Sequence, residues 1–464
     1  MGAPPEQLSH WYADVAWLGE VAERVTIGVA DGRIVSLTAD SDPPPDAVHL
    51  RGMTIPGLAN AHSHALHRAL RARTQNGAVD FWAWRAMMYD LVDRLDPDLY
   101  YALARATYAE MALAGITAVG EFHYLHHDRG GRRYQNPNVM GEALIAAATD
   151  AGLRITLIDT CYLQSGVGGG ALEAPQLRFS DGHAGAWAER VEALSESRTA
   201  RIAAAIHSVR AVDPASMRTL GDWARQRNAP LHLHVSEQTR ENTQCIQTTG
   251  MTPTALLAEA GVLGPSTTAV HGTHLTRADI ELLGSSGTTI CLCPTTERDL
   301  GDGIGSARAL ATAGSPLTVG SDMHAVIDLF EELRALEVDQ RLITGRRGLH
   351  RPTELLEAAT TAGMRSLGWD HRGLAIDAPA DFTTVSLDSP RTAGATPETA
   401  VEHLVFAATA ADVTDVVVAG RPVVERGRHT RINDVGAALQ DAIHALFEPA
   451  SSAVLTTAGA RSNL

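Results

Sequence analysis

Eight short apolar runs, each followed by a longer helical stretch, are the feature that most constrains the fold of this chain. From Met53 onward they read MTIPGLAN, GITAVGEF, LRITLIDT, RIAAAIHS, PLHLHV, TTAVHG, GTTICLC and PLTVGS. Alternation of this kind signals βα units and a parallel sheet, and eight strands suffice to close a (β/α)₈ barrel. The first long helix is well punctuated, with Asp96 as its cap, Pro97 in its first turn and Gly115 at its end. The segment TELLEAATTAGMRSLGW is expected to form one terminal barrel helix. Outside the barrel the pattern shortens to strands and tight turns. VTIGVADGRIVSL turns at Asp31-Gly32, and VTDVVVAGRPVVERG turns around Gly420. We therefore expect a catalytic barrel over 57–373. Its small flanking β-sandwich is assembled from 1–56 and 374–430, and a C-terminal helix and loose tail occupy 431–464. There is no internal repeat. The glycine cluster 166–170 reads as a lid rather than a phosphate cradle, because it fits neither phosphate fingerprint.

Composition excludes whole classes of chemistry. The chain of 464 residues contains no lysine, so Schiff-base, pyridoxal phosphate and P-loop mechanisms are ruled out, as is a carboxylated lysine bridging two metals. A formal net charge of −16 argues against nucleic acid and anionic membranes as partners. No apolar run is long enough to span a bilayer, and no leader pattern opens the sequence. Cys161, Cys245, Cys291 and Cys293 form no C-x-x-C pair and are expected to be reduced, buried thiols of a cytoplasmic protein.

Barrel enzymes place their chemistry at the C-terminal ends of the strands. Strand one ends in His62-Ser63-His64, whose histidines share a face because side chains alternate along a strand. Strand five carries His232 and His234, with Glu237 three residues on. Strand six ends at His271, and strand eight at Ser321-Asp322. Taken singly each is commonplace, since a buried histidine can bond backbone and an aspartate can cap a helix. Taken jointly they converge histidines and carboxylates where a barrel would hold one divalent cation, zinc or alternatively ferrous iron, with a position left open for water. Near the same mouth lie Trp84 and Arg85, Tyr124, His207 and Arg210. Two arginines and a histidine there point to a small anionic substrate, because guanidinium forks match carboxylates.

The order His-x-His, His-x-x-Glu, His, Ser-Asp resembles the amidohydrolase superfamily, in its mononuclear deaminase branch. That resemblance implies His62, His64, His234 and Asp322 as metal ligands, the His-x-x-Glu spacing selecting His234 over His232. A bound cation lowers the pKa of water toward about 7. Asp322 then takes the proton, Glu237 protonates the departing nitrogen as general acid/base, and His271 steadies the oxygen. The stretches NAHSHALHRALR, FWAWR, EFHYLHHD, HSVRAV, HVSEQ and GSDMHAVIDLFEELR further resemble the formimidoylglutamate deiminases of histidine degradation, over roughly 52–345. This implies that Arg85, Tyr124, His207 and Arg210 hold the glutamate carboxylates, with His67 near the formimino end, and that the enzyme is a homodimer. His67 and Met323 depart from residues seen in some members, which carry glutamine and serine there. The competing reading is a deaminase or hydrolase of a purine, pyrimidine or triazine ring.

Overall fold

The computed structural model of the protein describes residues 8–75 and 81–447, with backbone only for 81–83. The expected tail beyond 447 lies outside the described residues. Four strands come first: β1 (Ser9–Trp17), β2 (Val21–Ala30), β3 (Arg33–Thr38) and β4 (Val48–Pro56). The barrel strands are β5 (Leu58–Ser63), β6 (Ile116–His123), β7 (Arg154–Cys161), β8 (Ala200–Ile206), β9 (Leu231–Val235), β10 (Thr267–His271), β11 (Thr289–Leu292) and β12 (Leu317–Val319). Then come β13 (Phe382–Val385), β14 (Val413–Val418), β15 (Arg421–Glu425) and β16 (Arg428–His429).

Strands β5 to β12 pair in sequence, all parallel, with helices between them. Every residue of β5, β6, β7, β9, β10 and β11 is buried, as parallel strands covered on both faces require. The helix Pro97–Leu113 starts as expected, with the Asp96 carboxylate accepting from the Leu99 amide. No helix of the described residues is long and apolar enough to cross a membrane. All four cysteines are buried and free.

The other eight strands make one mixed sheet beside the barrel, in the order β16-β15-β14-β13-β4-β1-β2-β3. Its β3 edge curls back, so that Ile34 bonds the backbone of Asp377 and Ala378 just before β13. Between these layers lies a small core of Trp11, Ile27, Ile34, Leu50 and Phe382. Both hairpin turns use two left-handed residues, Asp31-Gly32 and Ala419-Gly420, matching the twist of the strands they join.

Two elements differ from expectation. The run MTIPGLAN is not one barrel strand. Met53–Pro56 pair antiparallel with β13, and only from Leu58 does the chain join β6. The break falls at Gly57, where a Cβ would lie 2.2 Å from Thr117 Oγ1. The segment TELLEAATTAGMRSLGW forms two short helices, Pro352–Ala358 and Thr361–Ser366, broken at Thr360. The break lets it plug the N-terminal end of the barrel. Ala359 O accepts from Ala59 N, Ala358 O from Thr318 Oγ1 and Leu367 O from Thr156 Oγ1.

The barrel closes between β5 and β12 at a narrow seam. Asp322 N donates to His62 O at 3.0 Å and His64 N to Asp322 O at 3.1 Å. Below them Asn60 donates through Nδ2 to Ser321 Oγ at 2.7 Å and accepts from Ser321 N at 2.9 Å. Gly320 is required for this approach, since a Cβ there would sit 2.7 Å from both His62 Cβ and His62 O. G320A is therefore expected to lose about 1–3 kcal/mol of stability by overpacking and to bind metal more weakly. Thermal denaturation and metal analysis check this, and unchanged values for both would show that the seam tolerates a methyl group.

Candidate active site

At the C-terminal end of the barrel the structure brings the sequence-predicted residues together. His62 lies in β5 and His64 directly follows it, His234 comes from β9, His271 ends β10, and Asp322 follows β12. Asp322 Oδ1 lies 3.4 Å from His62 Nε2 and 3.5 Å from His64 Nε2. His234 Nε2 faces His62 Nε2 at 3.1 Å, and His271 Nε2 is 3.8 Å from Asp322 Oδ2. His271, Asp322 and the nearby Ser236 and His324 all have positive φ, a conformation uncommon for such residues and typical of functional sites.

Ring orientation is set from behind. His64 Nδ1 bonds Phe122 O and His234 Nδ1 bonds His207 O, both at 2.9 Å. A backbone carbonyl accepts only, so each Nδ1 carries the proton and each Nε2 turns a lone pair inward. Burial holds His62, His64 and His234 below the ordinary imidazole range, keeping the rings neutral. Burial opposes ionisation of Asp322, yet its hydrogen bond to His62 and the surrounding imidazoles hold its carboxyl well below the usual range. Ligand atoms of His62, His64 and Asp322 lie within 4.8 Å of one another, as do those of His62, His234 and His271, and these two sets sharing His62 fit a divalent cation, because without one the facing acceptors repel.

The residues beside this cluster carry proton-transfer capacity. His271 Nε2 is 3.8 Å from Glu237 Oε1, and its Nδ1 is 3.5 Å from Glu297 Oε1. Burial works against its charge, but Glu237, Glu297 and Asp322 raise its pKa to about 10. Glu237 Oε2 also reaches Arg210 Nη2 at 3.4 Å, and the buried Glu241 lies 3.5 Å from Arg210 Nε.

A cavity of about 90 Å³ opens over the cluster and is lined by every predicted substrate residue: His67, Arg85, Tyr124, His207 and Arg210. His67 Nε2 and Tyr124 Oη are 3.0 Å apart. His207 does not add charge as the sequence reading supposed. Burial and the neighbouring Arg210 and Arg85 hold it well below the ordinary range, so it is neutral and offers hydrogen bonds. Sequence reasoning missed Tyr89, Tyr162, Phe179 and Glu241. Tyr162 follows β7 directly, so the strand-end rule applied to strand three would have found it. Tyr89 Oη accepts from Arg85 Nε at 2.7 Å and, with Tyr162 Oη, from Gln176 Nε2. The glycine cluster 166–170 borders the cavity through Ser165.

Three other histidines stay out of the site. His232 bonds Ser366 O of the barrel plug at 2.9 Å. His123 and His126 pack together behind β6 beside Asp159, whose oxygens are taken by Arg190 and Trp187 Nε1. That carboxylate is already paired with the Arg190 guanidinium, although His123, His126 and Asp159 bring ligand atoms within 4.8 Å of one another.

Comparison with known proteins agrees with this geometry. The amidohydrolase family profile matches residues 53–423. A formimidoylglutamate deiminase of Pseudomonas aeruginosa is 36% identical over 86% of this chain and 90% of its own length. A 5-methylthioadenosine/S-adenosylhomocysteine deaminase of Halobacterium salinarum is 29% identical over 86% of this chain and 88% of its own. The crystal structure of an amidohydrolase from Brucella melitensis superimposes with a TM-score of 0.88 at 32% identity, covering 95% of this chain and all of that one.

A pKa of about 10 for His271 means that its charged form stabilises the fold. The contribution is complete below the unfolded value of about 6.5 and is lost as pH rises through about 10. In metal-free protein, ¹⁵N NMR should show His271 doubly protonated at pH 8, and E237Q should move its titration downward. A His271 titrating near 6.5 would overturn the carboxylate cage described here.

Proposed function

The chain belongs to the amidohydrolase family, metal-dependent hydrolases of carbon–nitrogen bonds, and from that premise we propose that this deaminase acts on N-formimino-L-glutamate. The reaction takes up one water at the formimino carbon and gives N-formyl-L-glutamate and ammonia. The observation that carries the reading is that one small cavity is lined by Arg85 and Arg210 together with His271, Glu237 and Asp322. Guanidinium groups recognise carboxylates, which a heterocyclic base lacks. The similarity to the Pseudomonas enzyme supports the same choice.

In this reading His62, His64, His234 and Asp322 hold one divalent cation, which we take as zinc, although ferrous iron suits the same donors. Such a cation supplies Lewis acidity and lowers the pKa of water toward about 7. Asp322 has its second oxygen free of the ligand cluster and accepts the water's proton. Protonated His271 stabilises negative charge as it develops on the attacking oxygen. Glu237, placed between His271 and Arg210, relays the water's other proton, and Glu237 and Asp322 deliver both protons to the nitrogen that leaves as ammonia. Arg85, Arg210, His207 and Tyr124 orient the glutamate moiety, and His67, bonded to Tyr124, faces the formimino end. Burial holds His67 near a pKa of about 4, so it acts there as a neutral hydrogen-bonding group.

The second reading, a heterocycle deaminase, draws on the aromatic lining of Trp84, Tyr89, Tyr124, Tyr162 and Phe179. An ammonia-release assay separates the two. Formiminoglutamate should be turned over well above guanine, cytosine and adenosine, and preference for any of the rings would reverse the assignment.

E237Q should keep its metal while turnover falls about 100-fold or more. R210M should raise KM for formiminoglutamate more than it lowers kcat. A variant at Arg210 with wild-type kinetics would remove the carboxylate clamp.

A further inference from the structure

At the opposite end of the barrel lies a larger cavity, of about 520 Å³, that the reaction does not use. Its walls come from the N-terminal ends of β7 and β8 and from the two hairpin turns of the flanking sheet. Six arginines line it: Arg33, Arg154, Arg198, Arg201, Arg421 and Arg431. Only three acidic residues do so, in a chain whose net charge is −16.

The way these guanidinium groups are held is informative. Arg154 forms the floor and is neutralised by Asp381, with Nε–Oδ2 at 2.5 Å and Nη2–Oδ1 at 3.0 Å. Arg198 donates to Asp31 O at 2.9 Å, Arg431 to Thr149 O at 2.8 Å, and Arg33 to Asp377 O. Arg201 lies over the Trp369 ring, 4.9 Å from its centre. Carbonyls and a ring orient a guanidinium without cancelling its charge. Among the described residues, Arg33, Arg198, Arg201 and Arg431 are in no ion pair. Of the three carboxylates in the lining, Asp370 pairs with Arg372 and Glu196 accepts from Ile202 N. Four oriented guanidinium groups without an ion-pair partner around one cavity repel one another and favour an anion that bridges them.

We propose that this cavity is a second binding site, for a small oxyanion carrying two or more negative charges. Planar guanidinium forks match phosphoryl and carboxylate oxygens alike. The ligand would join Arg198 and Arg201 of the barrel to Arg33 of the flanking sheet and to Arg431 beyond it, tying the sheet to the base of the barrel.

Calorimetric titration of the metal-loaded full chain tests this, using inorganic phosphate and tricarballylate at constant ionic strength, with acetate as the monovalent control. At least one polyvalent probe should bind saturably at one site, and acetate should not; the tighter arm identifies a phosphoryl or a polycarboxylate ligand. The double variant R201Q/R431Q should weaken that binding at least tenfold and leave ammonia release unchanged, whereas R210M should leave the binding intact. If the double variant proves unfolded by circular dichroism, R201Q and R431Q singly carry the same comparison. Absence of saturable binding for both probes, or equal affinity in the arginine variants, would overturn the proposal. Binding lost in R210M instead would place the anion in the catalytic pocket.

Discussion

Closure of the barrel and assembly of the histidine–aspartate cluster are one event in this protein. The backbone bonds that join β5 to β12 are made by His62, His64 and Asp322 themselves, so the side chains that converge on the cation position belong to the residues that seal the cylinder. Parallel ladders are stiff and buried on both faces. The donor set therefore inherits its precision from the fold and needs little help from loops. Asn60 and Gly320 serve the same seam, one by bonding both polar groups of Ser321 and the other by having no side chain.

Electrostatics then divides the molecule by height. At the mouth, burial keeps the imidazoles neutral, while carboxylates concentrate around His271 and keep it charged. Arg210 is bounded by Glu237 and Glu241, which ties this guanidinium of the cavity lining to the carboxylate beside His271. At the base the balance reverses and arginines predominate. Having no lysine, the chain meets every such need with guanidinium groups, whose fixed fork favours directional contacts over diffuse attraction.

Much of this was legible in the sequence because barrel geometry turns position into proximity. Once eight strands are recognised, residues at their C-terminal ends must meet, and His64, His234, Glu237, His271 and Asp322 do line one cavity. What was not legible depends on contacts far apart in the chain. MTIPGLAN is uniformly apolar because it serves two sheets in turn, and periodicity cannot show where one pairing partner gives way to another. The break at Thr360 is imposed by the barrel floor rather than by a proline or glycine. In EFHYLHHD, Phe122 packs against His62 and His234, so strand alternation turns His123 outward. Tyr89 and Phe179 arrive from a helix and a short turn outside the strand-end set that sequence reasoning surveyed.

The plug formed by residues 358–367 has a consequence for traffic. With the cylinder sealed at its base by bonds to Ala59, Thr156, Thr318 and His232, it is a dead-end chamber. Among the described residues the way in and out is then the mouth at the C-terminal ends of the strands, so a departing product occupies the approach of the next molecule until it has left.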